Sequence, residues 1–184
     1  AVVGLTHAKT AILIVLVNPR AGGLLISGPR GIGKSTLMRS TQELIERPWR
    51  DIPVSVTEDR LFGTIDTEKA IYSGQKKLYP GIINEADQGV LYLDDANLLR
   101  EDLLDSILNI AEVGAYQLER DGLSLRCDTS FTVIAAINPE SGMLSGACLD
   151  QFGLFVNVDN IHDENTRVEI LKRTISFEKD CASF

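Results

Sequence analysis

The chain has 184 residues, a net charge of −8 and 44% apolar residues, which fits one globular domain with a substantial core. The negative charge argues against a large nucleic-acid interface. The longest apolar run, Ala11–Val17, is too short to span a bilayer, and we expect no signal peptide because no basic patch precedes an apolar stretch. Cys127, Cys148 and Cys181 lack metal-ligand spacing, so we expect reduced thiols in a cytoplasmic protein.

A glycine-rich loop follows the first predicted strand. Gly28–Ser35 matches the pattern G-x-x-x-x-G-K-[S/T] at every fixed position. The apolar run Gly23–Ser27 before it predicts a buried strand, and the apolar spacing over Thr36–Ile45 predicts a helix. Strand, loop and helix in this order place phosphates at a helix N-terminus, which favours anions. An ordinary glycine turn before a helix is the alternative, and this context argues against it.

The loop residues have the chemistry that a nucleoside triphosphate requires. Glycines let backbone N–H groups turn inward around the phosphates. The ammonium of Lys34 can reach the β- and γ-phosphates, and the hydroxyl of Ser35 can ligate Mg²⁺. The predicted contacts are Gly28, Pro29, Arg30, Gly31, Ile32, Gly33, Lys34, Ser35 and Thr36.

A second signal follows the predicted strand Gly89–Leu93, which ends at two acids, Asp94 and Asp95. A carboxylate at the carboxyl end of such a strand can hold Mg²⁺, directly or through water, and we assign Asp94 to this role. The next acid orients and activates the attacking water, which makes Asp95 the candidate catalytic carboxylate. The alternative is that both acids cap the following helix, which begins near Glu101.

Asn138 ends a further predicted strand, where a polar side chain can lie beside the γ-phosphate; a turn residue before proline is the alternative. Strands that alternate with helices imply a mostly parallel sheet, whose carboxyl edge would hold the glycine loop, Asp94, Asp95 and Asn138.

The remaining predicted elements are a helix over Glu101–Ala111, a hairpin over Tyr116–Arg126 around Asp121-Gly122, strands over Phe131–Ile137 and Leu154–Val158, and a helix from Asp163 to Thr174 capped by Asp163.

These residues resemble the AAA+ ATPases and, within them, the ATPase subunits of magnesium chelatase. The resemblance runs from Val2 to about Arg173. It implies an α/β P-loop AAA+ core at 1–160, with a five-stranded mostly parallel sheet flanked by helices, and the start of a truncated helical lid at 161–184. The stretches that carry it are Ala1–Gly4, Thr57–Arg60, Gly63–Asp66, Pro80–Ile83, Gly89–Leu99, Leu118–Gly122, Asn138–Glu140 and Leu149–Gly153.

The resemblance further implies two insertions, one in the second helix from about Thr57 to Pro80 and one at the hairpin before the sensor strand. It gives Asn138 the first sensor position, and it gives Val2 and Val3 the adenine pocket, with packing under the sheet as their alternative. The implied cofactors are ATP and Mg²⁺. The implied assembly is a homo- or hetero-hexameric ring with other AAA+ chelatase subunits. The ring would drive a large porphyrin-binding subunit that inserts magnesium, or cobalt in related assemblies, into a tetrapyrrole, with no nucleic-acid or membrane partner.

Two residues depart from the family pattern. Asp95 stands where the family has Glu, and Gln151 stands where Leu-Asp-Arg-Phe presents an arginine to the ATP of a neighbouring subunit. We therefore expect slow ATP hydrolysis in a homomeric ring. This resembles the degenerate AAA+ module of a D-type chelatase subunit. The sequence leaves open whether the chain is instead an I-type subunit. A nucleotide-sensing ring subunit and a MoxR-like chaperone ATPase are the alternatives. Ile45–Val54 is also short for the family.

Overall fold

A computed structural model describes residues 2–65, 78–120, 123–161 and 163–179. Helices and strands alternate along most of this part of the chain. In chain order the elements are α1 Thr6–Val17, β1 Leu24–Ser27, α2 Lys34–Gln42, β2 Trp49–Ile52, α3 Glu58–Phe62, β3 Gly63–Ile65, β4 Leu78–Pro80, α4 Ile82–Glu85, β5 Val90–Leu93, α5 Glu101–Val113, β6 Ala115–Arg120, β7 Leu123–Asp128, β8 Thr132–Ile137, α6 Gly146–Asp150, β9 Leu154–Asn157 and α7 Glu164–Lys179.

Five strands form the central sheet in the order β2-β5-β8-β1-β9. Each neighbouring pair in this sheet is parallel, so their carboxyl ends meet at one edge. Two antiparallel pairs, β3–β4 and β6–β7, lie outside it. The arrangement confirms the predicted α/β fold, and it brings the ends of β1, β5 and β8 side by side.

Helices cover both faces of the sheet. Successive residues of a strand point to opposite faces, so Leu25 packs with Ile107 of α5 in one core, whereas Leu24 packs with Ile12 of α1 in the other. All six residues of β8 are buried. Continuous apolar strands of this kind are typical of parallel sheets covered on two sides.

The region between β2 and β5 is interrupted by the short β3–β4 pair, with α3 before it and α4 after it. This agrees with the predicted insertion from about Thr57 to Pro80, although residues 66–77 lie outside the described part. The predicted hairpin is the antiparallel pair β6–β7, and its Asp121-Gly122 turn also lies outside the described residues.

Two sequence predictions need correction and one holds in detail. The helix predicted to reach Ile45 ends at Gln42, because the N–H groups of Leu44 and Ile45 bond to carbonyls three residues back instead of four. The edge strand β2 was not predicted. The predicted cap of the last helix is confirmed, since the carboxylate of Asp163 accepts a hydrogen bond from the backbone N–H of Thr166 at 2.7 Å. Among the described helices, none combines the length and apolar composition that crossing a bilayer requires.

Candidate nucleotide-binding site

The glycine loop joins β1 to α2 at the carboxyl edge of the sheet. The backbone N–H of Gly28 donates to the carbonyl of Ile137 at 3.2 Å, and a Cβ on Gly28 would lie 2.5 Å from the side chain and carbonyl of Val158. Gly31 and Gly33 have φ of +79° and +94°, and nothing lies within 4 Å of a Cβ on either. The loop is therefore fixed at its start and open over its middle, which fits a phosphate held by main-chain amides.

Lys34 places its ammonium within this loop. Its Nζ donates to the carbonyls of Gly28 and Pro29 at 2.5 and 2.9 Å, and the residue is only 8% exposed. Burial lowers the pKa of Lys34, while the nearby carboxylates of Asp95 and Asp94 act in the opposite direction. A partly desolvated cation at this position is suited to the negative charge of a triphosphate.

Asp94 is held through both carboxylate oxygens. Ser35 Oγ donates to Oδ2 at 2.9 Å, and the hydroxyl of Tyr92 donates to Oδ1 at 3.0 Å. Tyr92 is 5% exposed, and burial, followed by the charge of Asp94, raises its pKa well above the ordinary range. The prediction that Ser35 and Asp94 lie together is thus confirmed, and their oxygens are the ligand type that Mg²⁺ prefers.

The candidate metal site has few protein ligands. In the part of the chain that the structure describes, no group of three or more His, Cys, Asp or Glu side chains could hold a metal ion. Ser35 and Asp94 alone would not fill the octahedral shell of Mg²⁺, which commonly takes its other ligands from substrate phosphates and water. The donor set therefore fits a magnesium ion that arrives with a nucleotide.

Asp95 has a left-handed backbone, with φ of 50°, and it precedes the 3₁₀ turn Ala96–Leu98. Its side chain makes no capping hydrogen bond to that turn. The next α-helix, α5, begins after Arg100. The capping alternative is therefore wrong for Asp95, and Asp94 is engaged with Ser35 and Tyr92 instead.

Asn138 is 2% exposed and follows the last residue of β8. Its side-chain oxygen accepts from the backbone N–H of Glu140 at 3.2 Å, and its amide donates to Ser141 Oγ at 3.2 Å. These contacts are the ones expected of a turn residue before proline, which is the alternative interpretation of Asn138. The preceding residue, Ile137, is the one that accepts from Gly28, so Asn138 does lie beside the start of the loop. Its sensor role stays a prediction.

Sequence reasoning missed two residues at this site. Asn97 Nδ2 donates to the carbonyls of Asn138 and Gly142 at 3.3 and 3.1 Å, which joins the end of β5 to the end of β8. Its Oδ1 is buried and has no hydrogen-bond partner among the described residues. Tyr92 was missed as a partner of Asp94, although a tyrosine within a buried aliphatic strand signals that its hydroxyl needs a partner.

Val2 and Val3 are both half-buried. Val2 packs against the core below α1, and its carbonyl accepts from Lys9 Nζ at 2.7 Å. Val2 therefore packs against the core, as the alternative predicts, and this packing does not decide its adenine role. Val2 and Thr36 also line one cavity of about 1240 Å³ between α1 and α2, so two predicted nucleotide contacts share a space. The adenine role of Val2 and Val3 stays a prediction.

A known protein family matches most of this chain. The family profile "AAA domain (dynein-related subfamily)" matches residues 23–151, which is more than half of the chain and includes the glycine loop, Asp94 and Asn138. The chain belongs to the AAA domain family. This agrees with the parallel sheet and with the position of the loop at its carboxyl edge.

Individual relatives of this AAA domain are also informative. The magnesium-chelatase 38 kDa subunit of Rhodobacter capsulatus is 35% identical over 217 positions, which include all of this chain and 62% of the relative. A homolog of magnesium-chelatase subunit ChlI from Methanocaldococcus jannaschii is 34% identical over all of this chain and 60% of its own length. The chain thus spans less than two thirds of these relatives.

A chain in a cryo-EM-based model of the complex between magnesium-chelatase subunits BchI and BchD superposes with a TM-score of 0.79, at 36% identity, over 94% of this chain and 64% of its own. The uncharacterized protein Rv2850c of Mycobacterium tuberculosis is 36% identical over 191 positions, which include all of this chain and 30% of that protein.

The alignment with the R. capsulatus subunit has 217 positions, whereas this chain has 184 residues. At least 33 positions of that subunit therefore have no counterpart here.

Proposed function

We propose that this AAA domain is the ATPase module of a metal-chelatase assembly. It binds ATP with Mg²⁺ and couples ATP binding and hydrolysis to the insertion of magnesium, or of cobalt, into a tetrapyrrole by a separate porphyrin-binding subunit. The observation that supports this most strongly is the hydrogen bond from Ser35 to Asp94, which joins the glycine loop to the acidic pair. The similarity to named magnesium-chelatase subunits supports the choice of assembly.

Each residue of the loop has a defined task in this proposal. Main-chain amides of Gly28–Ser35 bind the phosphates, Lys34 neutralises the β- and γ-phosphates, and Ser35 with Asp94 holds the metal. When bound, Mg²⁺ supplies positive charge that offsets charge developing on the transferred phosphate. Val2, which lines the cavity beside Thr36, would contact the adenine together with the neighbouring Val3.

Hydrolysis would use Asp95 and Asn138 to orient water. The carboxylate of Asp95 acts on the pKa of Lys34, and Asp95 follows Asp94 at the carboxyl end of β5. Aspartate is one methylene shorter than the Glu that the family has there, and small misplacements of a reacting group lower rates by about 10²-fold. We therefore propose that hydrolysis in this domain is slow.

The position of Gln151 supports a ring. Gln151 lines a cavity with Gly23 and Thr132, at the amino ends of β1 and β8, whereas the glycine loop lies at the carboxyl end of β1. Its side chain therefore faces away from the loop of its own chain, and its amide donates only to Ala147 of α6, at 3.4 Å, among the described residues. In a hexamer this edge would approach the ATP of a neighbouring subunit, where a neutral amide cannot replace an arginine.

We further propose the two-part organisation, with the core at 1–160 and a helical lid that starts at 161–184. Helix α7 supports the second part, because Val168, Leu171 and Ile175 are exposed along it. Apolar residues at this spacing form a helix face suited to packing against other helices.

Asp95 and Gln151 favour a second candidate function. A ring subunit that senses Mg-ATP, hydrolyses little of it and supports an active partner would need an intact glycine loop but neither a full-length catalytic acid nor an arginine finger. The loop, Ser35 and Asp94 satisfy the first requirement, and the two substitutions are compatible with the second.

A reconstitution assay tests the proposal. The intact protein is mixed with the BchI-type and porphyrin-binding subunits of a magnesium chelatase, and metalloporphyrin formation is followed by fluorescence. Stimulation that needs ATP and disappears in Lys34→Ala supports the proposed assembly. If the protein raises the rate of insertion while its own ATP turnover stays negligible, the sensing subunit is the correct form. If neither wild type nor Lys34→Ala changes the rate of metal insertion, both candidate functions are contradicted.

A further inference from the structure

A second cavity opens directly beside the metal site. It has a volume of about 470 Å³ and lies between α2, β2, α3 and α4, with Ser35 and Asp94 in its wall. A volume of this size is typical of sites for small ligands. Besides Asp94, the charged residues around it are Arg39, Arg50, Asp51, Arg60 and Glu85.

Some of these charges already have partners. Arg50 forms an ion pair with Glu85 at 3.0 Å, and Asp51 accepts a hydrogen bond from the indole of Trp49 at 2.8 Å. By contrast, Arg39 and Arg60 make no ion pair or side-chain hydrogen bond to any residue within the described ranges. The cavity therefore contains two guanidinium groups that are available to a ligand.

The fold places these two groups on different elements of the cavity wall. Arg39 follows Ser35 by four residues in α2, so both lie on one face of that helix, with Arg39 one turn farther from the loop. Arg60 belongs to α3, a separate element of the wall. A small anion that moves from the metal site into the cavity would meet one arginine from each element.

We propose that this cavity binds inorganic phosphate, specifically the phosphate that ATP hydrolysis releases. Arginine suits this ligand because its planar guanidinium donates two parallel hydrogen bonds to phosphate oxygens. With Mg²⁺ held at Ser35 and Asp94, the cavity carries a net positive charge, which disfavours cationic ligands. The inference rests on the proposed ATPase function. In that reaction the oxygen of water bonds to the γ-phosphorus, the bond to the β-phosphate oxygen breaks, and a proton leaves to solvent.

The test is a calorimetric titration of inorganic phosphate into the intact protein saturated with Mg-ADP. Wild type is compared with Arg39→Gln, Arg60→Gln and the double variant. The control is Arg126→Gln on the β6–β7 hairpin, whose arginine is paired with Asp128 away from the cavity. We expect the double variant to bind phosphate at least about tenfold more weakly, because it loses two charge-assisted contacts. Mg-ADP affinity and circular dichroism should not change in any variant.

Three results would overturn the inference. Equal phosphate affinity in wild type and the double variant would show that phosphate stays at the glycine loop. If wild type saturated with Mg-ADP bound no phosphate, the cavity would not be a phosphate site. A tenfold loss in the Arg126→Gln control would show a general charge effect. If Mg-ADP itself did not bind, the proposed ATPase function would fail first, and the inference would fail with it.

Discussion

Ser35 and Asp94 are 59 positions apart in the chain, and a hydrogen bond of 2.9 Å joins their side chains. Ser35 lies in the first turn of α2, and Asp94 directly follows β5. The bond can form only when β1 and β5 take their places in the parallel sheet with β8 between them. Folding of the sheet therefore assembles the metal site from two motifs that are distant in sequence.

Tyr92 should affect how much Mg²⁺ this site requires for ATP binding. Tyr92→Phe removes the donor to Asp94 Oδ1 and leaves the buried ring in place. We expect the free energy of unfolding to fall by about 1 kcal/mol. We also expect several-fold more Mg²⁺ to be needed for ATP binding, because Asp94 loses the contact that orients it. Magnesium titrations monitored with a fluorescent ATP analogue measure this requirement.

Tyr116→Phe is the matched control for that experiment. The hydroxyl of Tyr116 lies within hydrogen-bond distance of the carbonyl of Phe62, at 2.8 Å, and of Asn84 Oδ1, at 2.5 Å, away from the glycine loop. This variant should lose a similar amount of stability and leave the magnesium requirement unchanged. An equal change in both variants would mean that Tyr92 acts through general stability alone.

Lengthening the second acid should speed hydrolysis. Asp95→Glu moves a carboxylate closer to the position that the family uses, and we expect the ATP turnover rate to rise about tenfold or more. The left-handed backbone at this residue disfavours a longer side chain, so the free energy of unfolding should fall by about 1 kcal/mol. Steady-state turnover together with urea unfolding measures both effects. A well-folded variant with an unchanged or lower rate would show that the acid does not limit hydrolysis.

Restoring an arginine at position 151 should act between subunits. Because Gln151 lies at the sheet edge opposite the glycine loop, Gln151→Arg should raise turnover at least about tenfold, and only at concentrations where the protein assembles. Gln151→Lys carries the charge without the planar fork and should gain less. Turnover is measured as a function of protein concentration. An increase that is independent of concentration would contradict a role in a neighbour's site.

Two glycines of the loop should respond differently to a methyl group. Gly28→Ala places a Cβ 2.5 Å from Val158, and we expect a loss of about 2–3 kcal/mol in the free energy of unfolding from overpacking. Gly31→Ala meets open space and is strained only by its positive φ, so it should lose about 1 kcal/mol. Urea unfolding of the two variants measures the difference. Equal losses would mean that the end of β1 does not pack against Val158 as described.

The sequence predicted the loop, Asp94 and four strands of the sheet because these segments have strong local signals. It did not indicate β2, since this edge strand of Trp49–Ile52 is buried only at its two ends and shows no alternation. The end of α2 was placed too late because apolar spacing at Leu44 suggests a core contact that the fold does not make. The ion-pairing state of Arg39 and Arg60 depends on neighbours distant in sequence, and no local pattern reports it.

The whole proposal depends on Lys34 and the loop around it binding Mg-ATP. Isothermal calorimetry on the intact, folded protein tests it most directly, with Lys172→Ala on the exposed side of α7 as the control. We expect wild type and the control to bind Mg-ATP equally, and Lys34→Ala to bind at least about 100-fold more weakly, because a buried cation at the phosphates is lost. The absence of Mg-ATP binding by wild type, or equal binding by Lys34→Ala, would contradict the account.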